Sequence, residues 1–410
     1  MLHPHPVPET ISLTRRLGAF WEHSRALFRP QFARENINDL EMTDRAAVDL
    51  IDAVGPTDSN GWSGPVEILP LLYNFTLDTA TDFLFGESVD AQRTATIERR
   101  GHSVGASVDP EKASKSADAQ SLVHGFDIIN DGLIKRIRLQ SLYWLGDGVA
   151  FRKAIWRVRK FTDHFVRIAV DSGTSAKRDE GKKHSLLNNL ATLTGNPDEL
   201  RNQTLAILVA GRDTTAALLG WCFVRLALHP DIFNKLRNIV LNEFQPGERI
   251  TFEKLKGCRY LQHFLNETLR LHPTVPFNQR TATRDTTLPT GGGPDKKCPV
   301  AVRAGQICGF SVYIMQRRKD LWGEDALEFR PERWEERIPA WYFLPFLGGP
   351  RICLGQQFAL TEASYLLCKA LQKFDAIEPV DRAEMSRLKK GLGVTMWPRD
   401  ANIKCHKAAA

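Results

Sequence analysis

The sequence predicts a mainly α-helical protein with a small β-sheet region. Apolar residues recur at helical spacing through most of the chain, and one segment, 196–229, is apolar around much of its circumference. Strand-like runs come only late, at 307–314 and 392–397, where they suggest a small sheet beside the helical body. At 410 residues the chain is long enough for one large domain or two or three ordinary ones. Its 42% hydrophobic, 25% charged composition is that of a globular rather than a disordered protein.

No run reaches the ~18 unbroken apolar residues of a membrane-spanning helix. The nearest, 205–228, is interrupted by Arg212, Asp213 and Arg225. The opening MLHPHPVPETISLTRR lacks the apolar core and cleavage site of a secretory signal. Seven cysteines are an odd number without a CxxC pair, which points to reduced thiols in a cytosol-facing compartment. The formal charge of +7 favours an acidic partner or surface. No nucleic-acid partner is expected, because the cations are dispersed and no zinc-finger, homeodomain or RNP-like pattern accompanies them.

Taken in order, the polar, small-residue stretches 100–120 and 171–184 read as surface loops between helices, and 290–299 as a turn-rich connection. The long helix 196–229 has Asn196 as N-cap, Pro197 at its first position and Glu199 completing a capping-box-like pattern; Pro230 ends it. Such a helix is roughly 50 Å long. Its centre reads Ala210-Gly211-Arg212-Asp213-Thr214-Thr215, poor residues for a helix interior, and a local rule broken inside a core helix points to function. The structural alternative is a helix bent by threonine hydroxyls bonding back to carbonyls. A helix over 258–272 ends before Pro273 and carries Glu267 and Arg270 on one face, a pairing worth little if it is only a surface ion pair.

The strongest signal is Phe346-Leu347-Gly348-Gly349-Pro350-Arg351-Ile352-Cys353-Leu354-Gly355. Its glycines let the backbone approach another group closely, and an amphipathic helix follows over 356–374. Cys353 therefore sits at a helix N-terminus, which favours a thiolate, with Arg351 adding positive charge. A bare cysteine in this setting could also be a buried structural one. The whole string, FxxGxRxCxG, resembles the haem-binding loop of the cytochromes P450 at Phe346, Gly349, Arg351, Cys353 and Gly355. In that family the cysteine is the proximal iron ligand, and thiolate donation favours O–O cleavage.

Other motifs follow the family's order. Glu267-Thr268-Leu269-Arg270 resembles ExxR, and Pro331-Glu332-Arg333-Trp334 resembles PERF/PERW. The resemblance implies a buried structural triad of Glu267, Arg270 and Arg333. Trp21-Glu22-His23-Ser24-Arg25 resembles WxxxR. By resemblance Phe346 packs beside the sulfur, and Trp21, Arg25, Arg280 and Arg351 hold the two propionates of haem b. Asp213 and Thr214 then resemble the distal pair that relays protons during oxygen activation, with Gly211 leaving room for O2.

Stretches 21–35, 79–89, 205–216, 266–276 and 346–364 are similar to fungal microsomal P450s that hydroxylate n-alkanes and fatty acids, whose relatives serve secondary metabolism. The resemblance implies a single P450 domain over 1–410 and a monooxygenase using O2, a small apolar substrate and NADPH electrons from a diflavin reductase, NADPH–cytochrome P450 reductase, docked on the cysteine side. It also implies the cytosolic face of the endoplasmic reticulum membrane. Pocket candidates by position are Leu208, Ala210, Val275, Phe277, Leu392 and Val394, each of which could be plain core. The family also carries a membrane anchor and first strands before WxxxR, whereas 20 residues precede Trp21. The expectation is a P450 fold lacking its N-terminal anchor and first strands. Two alternatives stay open on this basis: a truncated haem-binding pseudo-enzyme, and a reductase-independent peroxygenase or isomerase.

Overall fold

A computed structural model describes residues 18–99, 110–174, 185–245 and 247–408. The longer helices, in chain order, are α1 (Ala19–Phe28), α2 (Glu41–Ala53), α3 (Ile68–Phe85), α4 (Ala91–Arg99), α5 (Pro110–Leu139) and α6 (Val149–Thr174). They continue as α7 (Leu186–Ala191), α8 (Pro197–Leu228), α9 (Pro230–Glu243), α10 (Phe252–Gly257), α11 (Arg259–Leu271) and α12 (Gln356–Lys373). The expected loop over 100–120 is corrected: from Pro110 onward it belongs to α5, and 171–174 belong to α6. Small polar residues hid helix there because composition is a weaker guide than the packing of a whole amphipathic face. Residues 100–109 and 175–184 lie outside those described.

The sheet region is several small antiparallel sheets rather than one. Strands β1 (Val66–Glu67), β9 (Asn402–Lys407) and β6 (Phe374–Pro379) form a three-stranded sheet in the order β1-β9-β6, with Val66 opposite Ile403 and Ile377 opposite Cys405. Strands β2 (Phe277–Thr281) and β5 (Ile307–Ser311), β3 (Thr286–Gly292) and β4 (Cys298–Val302), and β7 (Lys390–Leu392) and β8 (Met396–Pro398) pair two by two. The run 307–314 is strand only to Ser311, whose hydroxyl accepts from Ile314 N at 3.2 Å and opens a helical turn. The run 392–397 is a hairpin, not one strand. The connection read at 290–299 narrows to 293–297, because both its ends are strand residues.

The core explains the central position of α8. One apolar cluster gathers its C-terminal half, Ala216 to Ala227, with the start of α3 and with α9, α11 and α12. A second gathers its N-terminal half, Leu200, Leu205 and Leu208, with the end of α3 and with α6 and α7. The polar segment 210–215 falls between the two. Asn196 caps α8 as expected, its Oδ1 accepting from Asp198 N at 3.0 Å and Glu199 N at 3.2 Å. Glu199 does not close a capping box; it bonds the Thr194 hydroxyl and His23 Nε2 instead. By length and composition α8 could cross a membrane, but 72% of its most apolar window is buried inside the protein.

Candidate functional site

The Cys353 loop is shaped by its backbone. Leu347 and Gly349 both adopt left-handed conformations, φ 61° and 70°, and a 3-10 turn spans Gly349–Arg351. Glycine takes such a conformation without a Cβ penalty, whereas Leu347 does so under local strain. Cys353 N donates to Phe346 O at 3.0 Å, so the loop folds back across its own base and presents the cysteine just before α12. The Cys353 side chain is solvent-exposed, yet enough protein surrounds it to desolvate the thiol. Both facts hold for a residue facing a concavity. Burial pushes its thiol up from the usual range, while the Gly355 N–H and the Arg25 guanidinium pull it down. The cation that acts on the sulfur is therefore Arg25, not Arg351 as the sequence order suggested.

Trp21 and Arg25 stand one turn apart on α1. Arg25 Nη1 donates to Ile352 O at 3.0 Å, tying α1 to the cysteine loop. Arg351 lies over the Trp21 ring at 4.2 Å and Arg25 at 5.7 Å. On β2, Arg280 bonds Asn278 Oδ1 at 2.9 Å and the Gln279 carbonyl at 2.8 Å, and packs near Phe310. Burial lowers the Arg351 pKa, and the like charges of Arg280 and Arg25 lower it further. Cations from three chain segments thus converge on one region, a potential suited to bound carboxylates.

Within the loop, Leu354 packs against the apolar cluster that holds Leu208 of α8, as Val209 of α8 does. The Thr214 hydroxyl donates to the Ala210 carbonyl at 2.7 Å, leaving its oxygen free to accept. Asp213 accepts from Asn130 Nδ2 at 2.5 Å and from Arg212 Nη1 at 3.1 Å. Burial raises its pKa, and Arg212 and Asn130 oppose that rise. Arg212 was not singled out in the sequence, yet it is 1% exposed. It also bonds Asp127 at 3.2 Å and lies over the Tyr73 and Phe126 rings. Its partners come from α3 and α5, so no local motif could reveal them.

The expected triad is partly redrawn. Arg270 donates from Nε and Nη2 to Glu267, each at 2.8 Å, with both side chains fully buried. Arg333 Nε is 3.6 Å from Glu267 Oε1, an ion-pair distance too long for a hydrogen bond. Its nearer carboxylate is Asp325, at 2.9 Å. Arg330 N and Trp334 Nε1 fill the remaining acceptor sites of Glu267 at 2.9 and 3.1 Å.

Among the pocket candidates, Leu208 is fully buried in the apolar core, the second of the two readings open to it. Ala210, Phe277, Leu392 and Val394 are exposed and Val275 is half-buried. A separate cleft of about 510 Å³ between α2 and the three-stranded sheet, lined by Asp52, Thr57, Lys373 and Lys407 among others, contains none of these residues.

A helical body with small antiparallel sheets, and a cysteine loop opening its last long helix, define the fold class of the haem-thiolate proteins. A sequence profile described as Cytochrome P450 matches residues 5–405, and the chain belongs to the cytochrome P450 family. It is 44% identical over 375 residues to the cytochrome P450 monooxygenase g430 of a Fusarium species, covering 89% of this chain and 64% of that one. It is 42% identical over 415 residues to the cytochrome P450 monooxygenase alt2 of Alternaria solani, covering 96% and 75%. With cytochrome P450 52A5 of Candida maltosa it shares 43% identity over 371 residues, covering 88% and 67%. The chain thus spans slightly under two thirds of the length of the Fusarium relative.

Proposed function

We propose that this chain is a haem-thiolate monooxygenase hydroxylating an apolar substrate, a fatty acid, an alkane or a secondary-metabolite intermediate. The residues fit haem b. Cys353 offers one soft donor facing a concavity, Gly349 and Gly355 keep the backbone close, and Arg25, Arg280, Arg351 and Trp21 suit two carboxylates. Bound there, haem would supply the reductive activation of O2, with NADPH electrons delivered by a diflavin reductase. The observation that carries the reading is the convergence of Arg25 and Trp21 on the cysteine loop, Arg25 at the Ile352 carbonyl and Trp21 under the Arg351 guanidinium.

The remaining roles belong to the chain itself. Arg25 fixes the loop through Ile352 O and opposes the rise that burial imposes on the thiol pKa. Asp213 is an acid with a raised pKa, held by Asn130 and Arg212, and the next residue along α8, Thr214, has a hydroxyl that can accept a hydrogen bond while donating to Ala210. An alcohol and a carboxyl of raised pKa on one turn of helix suit timed proton delivery. Glu267, Arg270 and Arg333 hold the cysteine-side core rather than react.

A location at the cytosolic face of the endoplasmic reticulum rests on the resemblance to microsomal relatives. The surface between α5 and α6 supports membrane contact. Leu145, Val149 and Trp156 are 60, 70 and 62% exposed there, beside Arg152 and Lys153.

The test is expression with a reductase against a panel of fatty acids and alkanes. Substrate-dependent product supports the proposal; haem uptake without product favours a haem-binding pseudo-enzyme. Cys353→Ser is expected to abolish the red-shifted Soret band of the carbon monoxide adduct, and its persistence would overturn the ligand. Thr214→Ala is expected to lower product formed per NADPH by about 10²-fold or more, the lower end of general acid–base contributions. Unchanged coupling would favour a reaction needing no proton relay.

A further inference from the structure

Glu362, on α12 nine residues beyond Cys353, is 2% exposed and is bonded by the Thr79 hydroxyl of α3. Thr79 also lies 3.2 Å from the Phe75 carbonyl and 3.3 Å from the Thr76 carbonyl. One hydroxyl has one proton, and here it faces three acceptor oxygens. If Glu362 were ionised, Thr79 would have to give its proton to the carboxylate, and the second carboxylate oxygen would stay buried without a full hydrogen bond. Glu362 Oε2 makes no full hydrogen bond among the described residues, although the Thr215 hydroxyl of α8 also acts on this carboxyl. If Glu362 carries a proton, its acid group donates to Thr79, and Thr79 donates to a backbone carbonyl. The second arrangement removes the buried charge, whose isolation would be costly.

The surroundings agree. Of the ionisable groups on the packed helices, Asp78 of α3 accepts from the N–H groups of Ala91 and Gln92. On α8, Arg212 pairs with Asp127 and Asp213; on α12, Lys369 pairs with Asp44 of α2. Burial pushes the Glu362 carboxyl up to about 8, with Thr79 and Thr215 of α8 opposing the rise. Thr215 follows Thr214 in the chain and is itself buried.

We propose that Glu362 is a positioning residue: a neutral, proton-bearing carboxyl that ties the helix following Cys353 to α3. The tie needs the proton, because the ionised form leaves an uncompensated charge between three helices. It does not depend on the substrate assigned above.

The sign of the pH effect is fixed. The folded chain holds this proton from the ordinary glutamate value of 4.5 up to about 8. The stabilisation is fully present below the lower value and is lost as pH rises through the upper one. Over that interval the folding equilibrium of the wild type should fall, relative to Glu362→Gln, by up to about tenfold per pH unit. The haem-loaded chain and Glu362→Gln are to be compared by denaturant midpoints against pH and by infrared difference spectra. The expected result is loss, in the variant, of one carboxylic-acid carbonyl band and of the extra pH dependence. Equal pH dependence, or no lost acid band, overturns the proposal.

Thr79→Val keeps Glu362 and guards against misfolding of the Gln variant. It should shift the acid band by removing its partner, and an unshifted band also overturns the tie. Glu362→Leu should lower product per NADPH while Glu362→Gln, which can still donate to Thr79, restores it. Failure of that rescue counts against positioning, whereas the infrared result stands whether or not the chain turns over substrate.

Discussion

Four donors fill the Glu267 carboxylate: two from Arg270, the backbone N–H of Arg330 and the indole of Trp334. A buried carboxylate satisfied in this way is stable only as a set, because removing one member strands the others. Glu267→Leu is expected to lose about 3–5 kcal/mol and the ability to retain haem, since it leaves the Arg270 guanidinium buried without its counter-ion. Denaturant unfolding and the haem-to-protein ratio would check this; a variant with wild-type stability would show that the backbone carbonyls around Arg270 suffice. The same residues mark the limit of motif reading. Glu267, Arg270 and Arg333 were legible as a constellation, but Asp325 and Trp334, which bond Arg333 and Glu267, were not. Hydrogen-bond partners are chosen by three-dimensional proximity, and the sequence reports only types and spacing.

Helix α8 joins the two halves of the core, and its composition changes where the packing changes. Its C-terminal half is buried almost all round, and at Gly220 a neighbouring strand and helix press against the backbone. A Cβ there would lie 3.0 Å from Pro398 and 3.1 Å from Leu69. Gly220→Val is expected to cost about 1–3 kcal/mol by overpacking, read as a lowered unfolding midpoint. An unchanged midpoint would mean that the Pro398 hairpin moves freely. The limits of α8 were legible because capping is local: Asn196, Pro197 and Pro230 act within a turn of themselves. The start of α5 was not, since residues of low apolar content become helical when the rest of the helix packs. The sheets were the least legible. Strands β1, β6 and β9 meet from opposite ends of the chain, and nothing in a two-residue strand announces its partner.

For the whole molecule the net charge of +7 governs encounters rather than fold. Raising ionic strength from about 0.01 M to about 0.15 M shortens the Debye length from about 30 Å to about 8 Å. Turnover driven by an acidic reductase is therefore expected to slow as salt rises, while turnover driven by added peroxide holds steady. Equal salt dependence of the two would argue against electrostatic docking of the reductase.

The sequence by itself determined the family, the cysteine loop, the capped central helix and the residue types available for haem and proton chemistry. These are carried by short strings whose chemistry depends on neighbours a few positions away. Only the tertiary structure decided that Arg25 rather than Arg351 acts on the sulfur, that Arg212 is buried against Asp213 and Asp127, and that Leu208 is core. It also brought Glu362 against Thr79 across 283 positions of chain. Each of these follows from which side chains share a low-dielectric space, and that is set by how helices pack, not by the order in which residues are joined.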